Sequence, residues 1–248
     1  MTIRASDRVA SERFYRTTLQ TLGIEQDRSR PDFAEWQDFS LGEAASRDEV
    51  TRRLHLGFAA PSRRHVDEYW RAGLAAGYRD DGPPGPRPRY REEYYGAFLL
   101  DPDGNSAEAV HHDLLRRDGI IDHLWIRVAD VAAARRFYET VAPHAGLRLW
   151  RDLPERAQFA HGTRHGGSFS LVAGLPTQRL QMAFAAPDDA AVNDFHSTAV
   201  AAGYEGNGSP AERPRYHRGY YSAFVPDPDG NNIELVSHNR GRWAPEQA

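Results

Sequence analysis

One block of this chain is written twice. Arg87-Pro-Arg-Tyr90, Tyr94-Tyr95-Gly-Ala-Phe98, Asp101-Pro-Asp-Gly-Asn105 and Glu108-Ala-Val110 return as Arg213-Pro-Arg-Tyr216, Tyr220-Tyr221-Ser-Ala-Phe224, Asp227-Pro-Asp-Gly-Asn231 and Glu234-Leu-Val236. The offset is 126 residues (213 − 87), and 15 of the 24 aligned positions are identical. Identity that dense makes the chain a tandem of one domain type and lets each copy test the other for chemistry kept or lost. At 248 residues, two domains of ordinary size fit, each long enough to bury its own core. We place them at 1–114 and 120–240, divided by the charged, Gly-ended stretch at 112–119.

Two shorter pairs extend the repeat. Ile3-Arg-Ala-Ser-Asp7 with Phe14-Tyr15 parallels Ile126-Arg-Val-Ala-Asp130 with Phe137-Tyr138, and Leu54-His-Leu-Gly-Phe-Ala-Ala-Pro61 parallels Leu180-Gln-Met-Ala-Phe-Ala-Ala-Pro187. Each copy therefore reads strand, helix, strands, and then strand, helix, strands again. At 120–128, Leu124, Ile126 and Val128 share one strand face while His123, Trp125 and Arg127 share the other. At 53–59, Leu54, Leu56 and Phe58 oppose Arg53, His55 and Gly57. One apolar and one mixed face predict an α+β sheet with helices behind it and a cleft in front. Asp7 and Asp130 are suited to cap the helices that follow, with Phe14 and Leu22 on the first and Phe137 and Val141 on the second. A further helix at 62–76 carries Val66, Tyr69, Trp70 and Leu74 and stops at Gly77. Asp-Pro-Asp-Gly before each last strand is hairpin-turn chemistry.

Composition narrows the chemistry. The chain has no Cys, and all 31 basic residues are Arg. Thiolate sites, disulfides, Schiff bases and a Walker-type phosphate loop are excluded. The net charge of −4 offers no field for nucleic acid or an anionic membrane. No apolar run approaches the roughly 20 residues that span a bilayer, and Met1-Thr-Ile-Arg-Ala-Ser-Asp7 lacks a signal-peptide core, so a cytoplasmic location is expected.

The order strand–Asp-helix-Phe-Tyr, then His-x-x-Phe-Ala-Ala, then Tyr-Tyr-x-Ala-Phe-x-x-Asp-Pro-Asp-Gly-Asn-x-x-Glu resembles the vicinal oxygen chelate superfamily. That group holds glyoxalases, bleomycin-resistance proteins and ring-cleavage dioxygenases. The resemblance covers nearly the whole chain, twice, and is specific for fold but not for reaction. It implies four βαβββ modules in two cup-shaped barrels, the glyoxalase/bleomycin-resistance/dihydroxybiphenyl-dioxygenase fold. It also implies metal ligands on the first strand of one module and on the first and last strands of its partner: His, His and Glu, with a frequent fourth acid.

Audited on that pattern, neither copy is complete. Copy one supplies His55 and Glu108, and its first-strand ligand would fall before Met1. Copy two supplies His123 and Glu234, but Gln181 stands where copy one has His55. Taken across the boundary, His55, Glu108 and His123 form one full set, while Gln181 and Glu234 belong to a degenerate second site. The two middle modules are thus expected to pair with each other, and the two outer modules likewise. Two histidines and a carboxylate suit one divalent metal (Fe, Mn, Zn or Ni) with positions open for two substrate oxygens, where a carbonyl is polarised or an enediolate stabilised. The strand Ser168-Phe-Ser-Leu-Val-Ala173 has no fourth acid, which departs from a lactoylglutathione lyase and favours a more open site.

Trp125, Arg87, Arg89, Tyr90 and Tyr216 are expected to contact substrate, with the Pro-rich segments 83–90 and 210–216 as loops over the cleft and their arginines facing an anion. Tyr94 and Tyr220, the first of each tyrosine pair, are assigned to the pocket as acids or hydrogen-bond donors, and Tyr95 and Tyr221 to the core. His111, His112, His144, His161 and His165 are assigned to the surface. The expected function is a metal-dependent, glyoxalase-like or dioxygenase-like enzyme on a small oxygen-bearing substrate, acting as a monomer or homodimer. The contrasting expectation is a metal-free protein that sequesters an aromatic antibiotic or metabolite, for which Trp36, Trp125 and Trp150 would line the cleft.

Overall fold

The computed structural model describes residues 1–116, 118–162 and 168–239. Four βαβββ modules follow one another. The first is β1 (Thr2–Ala5), α1 (Arg8–Leu19), β2 (Arg28–Arg30), β3 (Phe33–Trp36) and β4 (Phe39–Glu43). The second is β5 (Leu54–Ala59), α2 (Arg63–Ala75), β6 (Arg79–Pro86), β7 (Tyr95–Leu100) and β8 (Ser106–His111). The third is β9 (Ile121–Val128), α3 (Val131–Val141), β10 (Leu147–Leu153), β11 (Arg156–His161) and β12 (Ser168–Ala173). The fourth is β13 (Gln181–Ala185), α4 (Asp189–Ala201), β14 (Ala211–Glu212), β15 (Tyr221–Pro226) and β16 (Asn232–Ser237).

The strands form two eight-stranded mixed sheets, and each sheet takes one module from each copy of the repeat. The inner modules give the order β10-β11-β12-β9-β5-β8-β7-β6; the outer modules give β14-β15-β16-β13-β1-β4-β3-β2. Within every module the first strand runs parallel to the last, and the others are antiparallel. The modules of the inner sheet meet along β5 and β9, antiparallel, with Leu54 opposite Ile126, His55 opposite Trp125 and Gly57 opposite His123. The outer sheet is joined by β1 and β13, where Thr2 faces Gln181. A bridge between Arg52 and Gln178 ties the two crossing segments together.

Local chemistry explains the elements. The Asp7 carboxylate accepts the Ala10 N–H and Asp130 accepts those of Ala132 and Ala133, satisfying the free donors at the starts of α1 and α3. The alternating aliphatics Leu124, Ile126 and Val128 are buried behind the sheet, against Phe137 and Tyr138 of α3. Leu22 lies beyond α1, in a short 3₁₀ segment, Gln20–Leu22. Each Asp-Pro-Asp-Gly turn is closed by a Gly N–H to the first Asp carbonyl, with Gly104 and Gly230 at φ +83° and +84°. The following Asn clamps the start of its own module's first strand: Asn105 Oδ1 accepts Leu54 N–H and Asn231 Oδ1 accepts Leu180 N–H.

Two expectations change here. The proline-rich segment around residue 83 is not a loop: Pro83, Pro84 and Pro86 lie in β6, whose pairing with β7 skips register at Asp80/Gly82 and Gly82/Gly85. As the edge strand of its sheet, β6 can spare the N–H groups that proline lacks. Trp36 lines no cleft; it is fully buried in the outer module, stacked on Phe39.

Candidate metal centre

His55 on β5, Glu108 on β8 and His123 on β9 project from adjacent strands of the inner sheet and converge. The His55 Nε2 atom lies 3.0 Å from Glu108 Oε2 and 3.2 Å from His123 Nε2, and His123 Nε2 lies 3.3 Å from the same carboxylate oxygen. Among the described residues, this is the group of His, Asp and Glu whose donor atoms are close enough to share an ion. Ligands at about 2.1 Å from a divalent ion stand roughly 3.0–3.4 Å apart at right-angled to tetrahedral geometry, and the observed triangle has those edges.

The outer nitrogens fix the tautomers. The Ser106 hydroxyl donates to Asp81 at 2.6 Å, so its oxygen accepts from His55 Nδ1 at 3.1 Å. His123 Nδ1 lies 2.9 Å from Asp122, a carboxylate that also holds His112 Nε2 at 3.1 Å. Both imidazoles thus place their protons outward and aim Nε2 at the centre, the arrangement that ligating histidines adopt. The Tyr94 hydroxyl donates to Glu108 Oε1 at 2.8 Å, leaving Oε2 to the histidines.

Three acceptor atoms this close need a cation among them. Burial works against charge on His123, but hydrogen bonds to Asp122 and Glu108 outweigh it and push its pKa up to about 10. Burial would raise Glu108, yet the bonds from His123 and His55 bring it down to about 2. Burial lowers His55, against the pull of Glu108. Burial, and then the charge of Glu108, raises Tyr94 far above its ordinary value, so its phenol keeps its proton. A proton on His123 balances the site in this form, and a metal ion on the same atoms would replace it.

Two glycines make the space. A Cβ on Gly57 would fall 2.3 Å from His123 Cε1 and 2.6 Å from Nδ1, because Gly57 is the residue facing His123 across the β5–β9 joint. A Cβ on Gly96 would fall 2.3 Å from Glu108 Oε1. At the 126-residue offset these positions are Ala183 and Ser222, in the sheet whose site lacks the His55 equivalent. There Gln181 Nε2 donates to Glu234 Oε2 at 3.1 Å and the Tyr220 hydroxyl donates to Oε1 at 2.8 Å, a carboxylate capped by neutral donors.

The remaining sequence-selected residues separate by sheet. Trp125, Tyr90, Arg89 and Tyr94 line both recesses that flank the centre, one of about 370 Å³ and one of about 410 Å³; Arg87 lines the second. Tyr90 meets the Trp125 ring edge-on at 5.5 Å between them. Tyr216 and Tyr220 stand together on the outer sheet, rings 4.7 Å apart, away from the inner centre. Tyr95 and Tyr221 pack against helices, bonded to Asp67 and Asn193. His112 is not a surface residue: its side chain is 8 % exposed, stacked on Tyr94 and bonded to Asp122. His165 lies outside the described residues. Asp122, Ser106, Gly57 and Gly96 were not selected from the sequence, and the glycines carried a usable signal, since both change between the copies, as His55 does.

A model of the Glyoxalase/Bleomycin resistance protein/Dioxygenase superfamily matches residues 120–235. That span is the second copy, and the dense repeat together with the identical module order carries the assignment to the first. The second copy belongs to this superfamily. Its fold is shared by glyoxalase I from Zea mays, with a TM-score of 0.69 at 18% identity over 96% of this chain and 91% of that one. A candidate dioxygenase from Bacillus subtilis subsp. subtilis str. 168 superposes with a TM-score of 0.66 at 12% identity, over 99% of this chain and 87% of that one. At such low identities the likeness shows a shared fold and not the reaction. No curated protein matches the chain.

Proposed function

We propose that this superfamily member is a metal-dependent enzyme in which His55, Glu108 and His123 hold one divalent ion and a small substrate chelates it through two neighbouring oxygens. The observation that supports this most is the triangle of acceptor atoms, 3.0–3.3 Å on a side, with both outer imidazole nitrogens already committed to Ser106 and Asp122. When bound, such an ion acts as a Lewis acid on a substrate oxygen. Two histidines and one carboxylate leave positions open on it.

The chain's own residues supply the rest. Tyr94 is a positioning residue, because its proton is held on Glu108 and its raised pKa makes it a poor acid near neutrality. Asp122 orients His123 and strengthens it as a ligand. Beside His123, the parallel strand β12 presents Ser168 and Ser170, with no acid where a fourth protein ligand would stand. Trp125, Tyr90, Arg87 and Arg89 line the cavity. The outer pair Gln181 and Glu234 is a closed hydrogen-bonded site with no part in the chemistry.

A bidentate oxygen probe tests this reading. Iron-loaded protein mixed with 4-nitrocatechol should give a stoichiometric visible chelate band, and His55→Ala should give none. A loaded protein that leaves the spectrum of the free probe unchanged has no open pair of positions, and the chelation reading fails.

A further inference from the structure

The wall of the 370 Å³ recess opposite the β5–β8 module carries a cation that the proposed chemistry does not use. Arg156 on β11 lays its guanidinium over the Trp125 ring, 4.8 Å from the centroid. Its Nε and Nη2 both donate to the Ser170 hydroxyl, at 3.3 and 3.0 Å. That tether uses one N–H from each nitrogen, and a guanidinium has five. Neither Arg156 nor its neighbour Arg151 has a carboxylate partner among the described residues. The acid that lines the recess is engaged elsewhere: Asp122 is held by His112 and His123. Burial, and then the charge of Arg151, weakens the hold of Arg156 on its proton, as expected of a partly desolvated cation without a counter-ion. The same recess is walled by Trp125, Trp150, Tyr90 and Tyr94, and Trp150 is 50% exposed. Its volume lies within the range of small-molecule pockets.

We propose that Arg156, stacked on Trp125 and tethered to Ser170, is the specificity-determining residue of the site, and that the substrate is a small aromatic oxyanion whose charged group it binds. This deepens the proposed function and rests on it for the claim that the bound molecule is a substrate. A planar, weakly hydrated guanidinium with free N–H groups pairs with carboxylate or phosphate oxygens in a fork. The aromatic walls suit a flat ring, and the oxygen pair to be chelated would face the histidines. Arg89 meanwhile bonds the Tyr90 hydroxyl and lies over its ring, which assigns it to the wall.

The test uses chelator-treated protein, so that no metal binds the probe and the outcome is independent of whether the metal reading holds. Benzoate, phenyl phosphate and the neutral benzamide are titrated while tryptophan fluorescence and heat of binding are recorded. At least one of the two anions should bind about tenfold or more tightly than benzamide, the worth of a charge-assisted hydrogen bond. The anion preferred identifies the carboxylate or the phosphate class. Arg156→Gln, checked for an unchanged thermal midpoint, should bring that anion down to the affinity of benzamide. In the unaltered protein, added chloride should compete with the anion and leave benzamide untouched, a readout that needs no variant. Equal binding of anions and benzamide, no binding of any anion, or full discrimination in Arg156→Gln would each overturn the proposal.

Discussion

At the scale of single residues, the centre is defined as much by absent atoms as by present ones. His123 can lie flat against β5 only because residue 57 has no side chain, and Glu108 has room beside Tyr94 only because residue 96 has none. Gly57→Ala should therefore displace the His123 ring and weaken metal binding on the order of 10–100-fold, the scale on which outer-shell changes act. Equilibrium titration with Zn(II) or Mn(II) against a competing chelator measures it. Charge sets a second expectation. In the metal-free site His123 keeps its proton up to about pH 10, because Asp122 and Glu108 outweigh its burial. A metal must expel that proton. Between pH 6 and 9 affinity should rise about tenfold per pH unit, with close to one proton released per ion. Calorimetry in buffers of different ionisation enthalpy counts the protons, and a pH-independent affinity contradicts the assignment. The three converging residues were legible in the sequence because His55 and Glu108 sit in repeated motifs and His123 stands just before one. Asp122 and Arg156 were not, since one acts only through the back of an imidazole and the other only through a strand register that no motif records.

At the scale of elements, the helices are fastened to turns of other modules. Tyr15 on α1 donates to Asp101 at 3.0 Å, in the turn before β8, and Tyr138 on α3 donates to Asp227 at 3.1 Å, in the turn before β16. Both phenols are buried, and the Phe-Tyr pairs that carry them belong to the repeated motif. Tyr15→Phe leaves a buried carboxylate one donor short, which costs about 1–3 kcal/mol. Thermal unfolding should show a midpoint lower by roughly 2–12 °C for a chain of this size. Burial raises Asp101 to about 6, against its bonds to Asn105 and Tyr15. Its folded pKa lies above the unfolded value, so its contribution is full below about pH 4 and falls away as pH rises through 6. The destabilisation by Tyr15→Phe should accordingly be larger at pH 7.5 than at pH 4.5. The helices and strands themselves were legible from alternation and Asp caps. The role of the proline segment was not, because proline in an edge strand and proline in a loop look alike until the sheet order is known.

At the scale of the whole molecule, the repeat in the sequence and the sheet in space are different units. Each copy divides its two modules between two sheets, so the inner sheet collects His55 and Glu108 from one copy and His123 from the other. The complementary gaps in the ligand pattern foretold this pairing, which neither periodicity nor composition specifies. The consequence is that, among the described residues, one cluster and not two could hold a metal ion. The direct measurement is metal per chain, by elemental analysis after loading and gel filtration, across four proteins. We predict one ion in the unaltered chain, none in His55→Ala, none in His123→Ala and one in Glu234→Ala. Metal retained in His123→Ala, or lost in Glu234→Ala, would contradict a centre shared by the two inner modules.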